Sequence, residues 1–479
     1  MARCNDHEIC DLEDAADPEA GLCILHCQRP DKDSAAFTAA LTVHRAKRGN
    51  NFTRMVFPGV ADFAGATFSG TVFFNGATFL GPADFTGATF ADAAFFHEAI
   101  FAVKGDFTWA TFGGPATFSR ARFLGPVVWS GATFSAAANF NRVEFAADAA
   151  FPDVTFSGST DFSASQFAGA AAFGGATFLQ FAEFADAVFR GRTEFSRSAF
   201  REATSFRRAT FGDVAFQETA FDGPSVDFGG GRFAGETRFT SRREGERTVL
   251  VFAGVQVDFR EVAVDPAAAV CFLEADLRLC RFLGTDLDRI RLARALWPSV
   301  RDHGDVRIGV YDEVAPLPPG EARPWARVAR LYRDLKRQYA GQGDYGPAGE
   351  FHCGEQEMQR RDPATPAALR ALLLLSWALW GHGERFLRPL LWCALLLGLS
   401  TLAYLMGGLV PAGGGAPLTP TRPWDWLRSG HYALQVMTLL GPDDLAPVQC
   451  AKGVATLQRL AGVPLLALAV VAVYRRLRW

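Results

Sequence analysis

The chain lacks a strong net charge, a disulfide framework and an apolar leader. Its 479 residues carry 48 Lys and Arg against 51 Asp and Glu, a formal net charge of −3. So small an imbalance gives no electrostatic reason for a nucleic-acid partner. The nine cysteines are odd in number and form no disulfide-like framework, which argues against a secreted, disulfide-stapled fold. The opening stretch Met-Ala-Arg-Cys-Asn-Asp-His-Glu is polar and acidic, without an apolar core. These features predict a cytoplasmic N-terminal half with reduced thiols. No nucleophile–base pair or open metal constellation stands out, so no enzymatic activity is expected.

What the chain has in abundance is phenylalanine at a fixed spacing. Phe57, Phe68, Phe79, Phe90, Phe101, Phe112, Phe123, Phe134, Phe145 and Phe156 are eleven residues apart, and the series runs on to Phe211. A second series falls six residues after each member: Phe63, Phe74, Phe85, Phe96, Phe107, Phe118, Trp129, Phe140 and on to Phe206. Neither a strand nor a helix has this period, so it belongs to a repeating supersecondary unit. Two places before each aromatic stands a small or β-branched residue, as at Ala66, Ala77, Ala61 and Val72. Two inward positions around one outward residue describe a very short strand. The extra residue of the longer step sits at a corner, where Gly and Pro suit the backbone, as in Leu80-Gly81-Pro82. Four such faces close one coil. Stacking at roughly 4.8 Å then gives a rod of about eight or nine coils and about 40 Å, filled by columns of offset rings.

This pattern resembles the pentapeptide-repeat family, over roughly residues 52–292. The resemblance implies a right-handed, four-sided β-helix. A plain five-residue form returns at Phe272, Leu277, Phe282 and Leu287, and the charged stretch from Ser241 to Arg247 reads as an exposed loop. Some soluble members of this family resemble DNA and bind gyrase, which requires a strongly negative rod. From Phe52 to Thr240 there are 13 basic and 18 acidic residues. That bias is weak, and nucleic-acid mimicry stands as a distant alternative.

Outside the repeats, Cys4, Cys10, Cys23 and His26 form two close pairs separated by a polar loop. Thiolate and imidazole ligands so spaced suit a closed, structural zinc site in a segment too short to hold a core. Cys27 or His7 can stand in for one ligand. Past a linker marked by Pro316, Pro318, Pro319 and Pro324, Trp325, Val328, Tyr332, Leu335 and Tyr339 recur at helical spacing. A turn near Gly341 leads to a second helix through Phe351 and Met358. The runs from Tyr332 to Gln338 and from Gly354 to Arg360 look like a segment found after pentapeptide repeats in membrane-linked bacterial proteins. Glu355 and Glu357 read as a solvated helix face, and His352-Cys353 as no metal pair.

The last 110 residues or so are apolar. An interfacial helix is expected at 367–380, a span at 390–409, a re-entrant helix at 431–441 and a second span at 455–474. Arg385 and Arg388 before the first span, with Arg475, Arg476 and Arg478 after the second, place both termini in the cytoplasm. This layout resembles two-span potassium-channel-like pore domains over roughly 365–479. The resemblance implies a tetramer in the bacterial inner membrane. Thr438, Leu439, Leu440 and Gly441 would stand at the constriction, with Asp443 and Asp444 as acidic rings at its mouth. The paired glycines of such filters are absent.

The organisation expected is therefore mainly β: a right-handed quadrilateral β-helix followed by a helical hairpin and an α-helical transmembrane domain. The segments are a Cys/His-rich knuckle and connector at 1–50, the β-helix at 51–292, a linker at 293–323, the hairpin at 324–363 and the membrane domain at 364–479. The function expected is a cation-conducting, channel-like membrane protein whose cytoplasmic rod senses or binds a protein partner. The alternative is a non-conducting scaffold anchored in the bilayer.

Overall fold

The computed structural model describes residues 15–17, 22–29, 31–302, 304–383, 385, 387–441 and 444–477. It divides into two compact units, residues 1–300 with 310–316, and residues 301–309 with 317–479.

The first unit is a parallel β-solenoid with four faces, each built of strands mostly two residues long. Successive coils pair strand on strand: Val56–Phe57 with Thr78–Phe79, then Ile100–Phe101, then Arg122–Phe123. Amides donate to carbonyls of the coil before, as from Thr78 to Met55 and from Ile100 to Ala77, both at 2.8 Å, and of the coil after, as from Phe259 to Arg281 at 2.8 Å. The face that begins at Ala61–Asp62 has 11 strands and ends at Ile290–Ala293. The rod is thus longer than the eight or nine coils the phenylalanine period suggests. Coils resume after an insertion, and the charged stretch within it is an antiparallel hairpin, Arg242–Glu244 with Arg247–Val249.

Every ring of both phenylalanine series points inward and stacks on its counterpart one coil away. Phe57 lies 4.8 Å from Phe79, Phe90 4.6 Å from Phe112, and Phe145 4.6 Å from Phe167. Trp129 takes a ring position, 4.0 Å from Phe107. Rings of neighbouring columns meet edge to face, as Phe85 meets Phe96 at 87°. Both geometries suit the aromatic quadrupole and contribute about 0.5–1.5 kcal/mol per pair beyond area burial. The small residues two places earlier, such as Ala77 and Ala88, are fully buried beside the rings.

Corners explain the rest of the repeat. At Gly81 a Cβ would come within 2.4 Å of the Gly59 carbonyl oxygen, so only glycine lets the coils approach there. The positive-φ corner at every eleventh residue is less exclusive and also holds Arg54, Glu98, Trp109 and Arg120. Trp109 lays its ring over Gly131, where a Cβ would meet it at 2.3 Å.

Both ends of the rod are closed. At the start, helix α1 (Ser34–Arg48) is capped by Asp33, whose carboxylate accepts from Ala35 and Ala36. Its Phe37 meets the Phe57 ring edge-on at 5.6 Å. The backbone before α1 supplies Leu25 O to Val56 N at 2.8 Å. At the far end, helix α2 (Tyr311–Val314) brings in Asp312, which accepts from Phe282 N at 2.8 Å and Leu283 N at 3.2 Å. Among the described residues no further strand follows this coil on that face. A carboxylate therefore fills the place of the next coil. Burial raises the Asp312 pKa above the ordinary value, against the pull of those two amides. Its contribution to stability is greatest below the ordinary carboxylate range and falls as pH rises through the folded pKa. Asp312→Ala is expected to cost about 1–3 kcal/mol by leaving the amides bare. Hydrogen exchange at Phe282 and Leu283 should accelerate, with mid-rod amides unchanged.

The linker expected at 293–323 is not structureless. Residues Ser299–Asp302 and Asp305–Ile308 form a two-stranded sheet ahead of α2. Gly304, at φ +92°, provides the turn. Elements this short leave little periodic signal beside the prolines.

The second unit is helical. Helices α3 (Trp325–Gly341) and α4 (Tyr345–Arg361) form the hairpin, burying Val328, Tyr332, Leu335 and Tyr339 against Phe351 and Met358. Helices α5 (Ala367–Trp380), α6 (Leu387–Gly407), α7 (Pro423–Met437) and α8 (Gln449–Leu477) follow. The re-entrant helix expected at 431–441 is corrected to Pro423–Met437. Pro423 at its start and Asp425 in its first turn open it earlier.

Candidate functional site

Two helices are long and apolar enough to cross a membrane, Leu387–Gly407 and the stretch Cys450–Tyr474 of α8. Core helices of soluble proteins pass the same length test but are mostly buried. Here only 17% and 22% of the apolar windows are buried. Leu391, Leu395 and Leu399 on α6 and Leu457, Leu460 and Val470 on α8 are exposed.

Helix α7 packs against both of these helices through polar and aromatic contacts. The Tyr404 hydroxyl donates to Gln458 Oε1 at 2.7 Å, and Gln458 Nε2 donates to the Ala433 carbonyl at 2.9 Å. The Ser429 hydroxyl donates to the Thr401 carbonyl at 2.9 Å. Tyr404 and Tyr432 meet edge-on with centroids 5.0 Å apart. Such bonds bind apolar helices together where hydrophobic contrast with the surroundings is weak. At the other end of α7, Asp425 accepts from Thr419 N at 3.0 Å and anchors the incoming loop.

The filter-like residues follow directly. Thr438 is the C-cap of α7, and its hydroxyl donates back to the Leu434 carbonyl at 2.8 Å. Leu439 takes a left-handed φ of 60°, and Leu439 and Leu440 are 62% and 64% exposed. Gly441 and Asp444 are exposed, while Pro442 and Asp443 lie outside the described residues. The chain then returns as Leu445–Pro447, which pairs antiparallel with Leu409–Pro411 just beyond α6.

Residues 52–100 and 107–155 match the family model described as pentapeptide repeats (9 copies). Over those residues the solenoid is built of pentapeptide repeats. No curated protein and no solved structure matches the chain. Since four columns of rings fill the solenoid, any partner must be met by its outer face.

Of the residues read as zinc ligands, Cys4, His7 and Cys10 lie outside the described residues. Cys23 Sγ and His26 Nδ1 are 3.1 Å apart and buried, on the turn that precedes the solenoid. Cys27 is buried beside them. Among the described residues no group of three or more ligating side chains is placed to hold a metal.

Sequence reasoning missed an ion-pair cluster in the helical unit. Glu355 and Glu357 are 4% and 1% exposed, not solvated. Burial acts to raise the Glu355 pKa, but bonds from Lys336 and Arg333 outweigh it and hold the carboxyl below its usual range. Glu357 accepts from Arg360 at 2.6 and 2.8 Å and from Arg361 at 2.6 Å, and Arg361 also bonds Asp302 at 2.9 Å. Arg385 and Arg388, read from sequence as topology signals, pair with Glu350 and Asp305. His382 sits in this cluster, its pKa pulled down to about 4 by burial. Five acidic residues scattered between Asp302 and Glu357 leave no linear motif, so only the fold discloses them.

Proposed function

We propose that this protein is a membrane-anchored interaction scaffold: α6 and α8 hold it in the bilayer, and the pentapeptide-repeat solenoid presents its outer face to a protein partner. The observation that carries this reading is the exposure of apolar side chains along both membrane-length helices. Contiguous apolar surface of that extent needs a non-aqueous neighbour. A lipid core supplies one, and the arginines flanking the two helices favour a cytoplasmic solenoid and cytoplasmic C-terminus in a bacterial inner membrane. Fractionation of cells producing the full chain tests it. The protein belongs in the membrane pellet, with an epitope tag on the solenoid reached by antibody from the cytoplasmic side only.

A second reading, cation conduction, is favoured by one observation: α7 packs against both membrane-length helices and the chain then turns back to pair just beyond α6, as after a pore helix. Thr438 to Gly441 would then line the constriction and Asp443 with Asp444 its mouth. Asp443→Asn with Asp444→Asn should lower cation current through reconstituted protein while leaving assembly intact. A wild-type protein silent in bilayers leaves the scaffold reading alone.

Zinc completes the proposal. Cys23 and His26, buried side by side on one turn and hydrogen-bonded at 3.1 Å, would supply two ligands, with Cys4 and Cys10, or Cys27 or His7, supplying the others. Purified protein is expected to carry about one structural zinc per chain. Cys4→Ser with Cys23→Ser should abolish it by metal analysis, and metal-free wild-type protein would end the idea.

A further inference from the structure

Helix α8 carries two cations on a side turned away from the rest of the protein. Lys452, Thr456 and Arg459 are all exposed, and steps of four and then three residues put them on one side of the helix. Among the described residues neither cation forms an ion pair. The same side continues past Arg459 with Val463 and Val470, 38% and 62% exposed. At 3.6 residues per turn all five side chains fall within about 40° of one line along the helix. The strip is cationic toward its N-terminal end and apolar beyond.

Arg459 lies inside the apolar stretch Cys450–Tyr474, about 14 Å along the axis from Cys450. A guanidinium at that depth in hydrocarbon is costly and needs a counter-charge or a route to the interface. Helical side chains lean toward the N-terminus of their helix, which is the nearer end here. The long stem of Arg459 thus carries its charge toward Thr456 and Lys452, where headgroups lie. A phospholipid matches both parts of the strip. Its phosphate meets the two cations and the Thr456 hydroxyl, while an acyl chain runs past Val463 and Val470. A free anion would meet the cationic part only. Two positive charges favour a headgroup of net negative charge over a zwitterion. We propose that Lys452, Thr456 and Arg459 bind the headgroup of an anionic phospholipid in the leaflet at the N-terminal end of α8. The inference rests on the membrane-anchored reading.

The test is native mass spectrometry of the full chain in detergent, titrated with dioleoylphosphatidylglycerol or dioleoylphosphatidylcholine. The wild type is expected to hold a phosphatidylglycerol at concentrations where phosphatidylcholine gives no adduct. Lys452→Gln with Arg459→Gln should weaken phosphatidylglycerol binding roughly thirtyfold, and Lys452→Arg with Arg459→Lys should keep it. Equal binding of the two lipids, displacement of the lipid by inorganic phosphate, or full binding by the Gln variant would overturn the site. Such a result from protein retained in alkaline-washed membranes leaves the anchor standing. Release of the wild type from washed membranes would overturn both, so the two failures are told apart. The lipid selectivity is read on unmodified protein and decides the matter even if the Gln variant misfolds.

Discussion

Phe134→Asp is expected to open the middle of the solenoid. Phe134 is 1% exposed and stacks on Phe112 at 4.6 Å and Phe156 at 5.0 Å. A carboxylate there has no partner among the rings, and its burial costs several kcal/mol, on the order of 3–5 once the lost stacking is included. Each coil rests only on its neighbours, so the damage is local at first and spreads by fraying. Limited proteolysis should cut within the coils around residue 134, where the wild type resists. Phe134→Leu keeps the volume apolar and should stay largely resistant. An Asp variant as resistant as the wild type would contradict the ring-filled interior.

Leu395→Lys combined with Leu460→Lys is expected to remove the chain from the membrane. Both side chains are exposed, 50% and 69%, near the middle of α6 and α8. If water surrounded these helices, the substitutions would change stability by no more than about 0.5 kcal/mol each. In a bilayer each lysine costs on the order of 3 kcal/mol at mid-helix. The double variant should be lost from the membrane fraction and degraded or aggregated. Unchanged yield of a monodisperse soluble protein would show that lipid does not surround these helices.

The solenoid was legible because its constraint is local and repeated. A ring every eleven residues, with a small residue two places before it, fixes which side chain faces inward in every coil, and Trp129 for Phe was readable from position alone. The corners were only partly legible: Gly81 is required by close approach, but the positive-φ corners accept Arg54, Glu98 and Trp109 as well as glycine. The closures were not legible. Asp312 meets amides some thirty residues earlier, and no spacing rule connects an isolated aspartate to the end of a sheet. The same holds for Glu357 with Arg361 and Asp302, a contact assembled from distant segments. Helix α7 starts earlier than its apolar residues suggest because Pro423 and Asp425 supply its N-terminal signals.

Alkaline carbonate extraction of membranes from cells producing the full, unmodified chain addresses the central claim most directly. High pH strips proteins held to membranes by charge or by other proteins and leaves those whose helices lie among the lipid chains. The account predicts that the protein stays wholly in the pellet, with its solenoid still folded and protease-resistant. Recovery of a folded, monodisperse chain in the supernatant would contradict it.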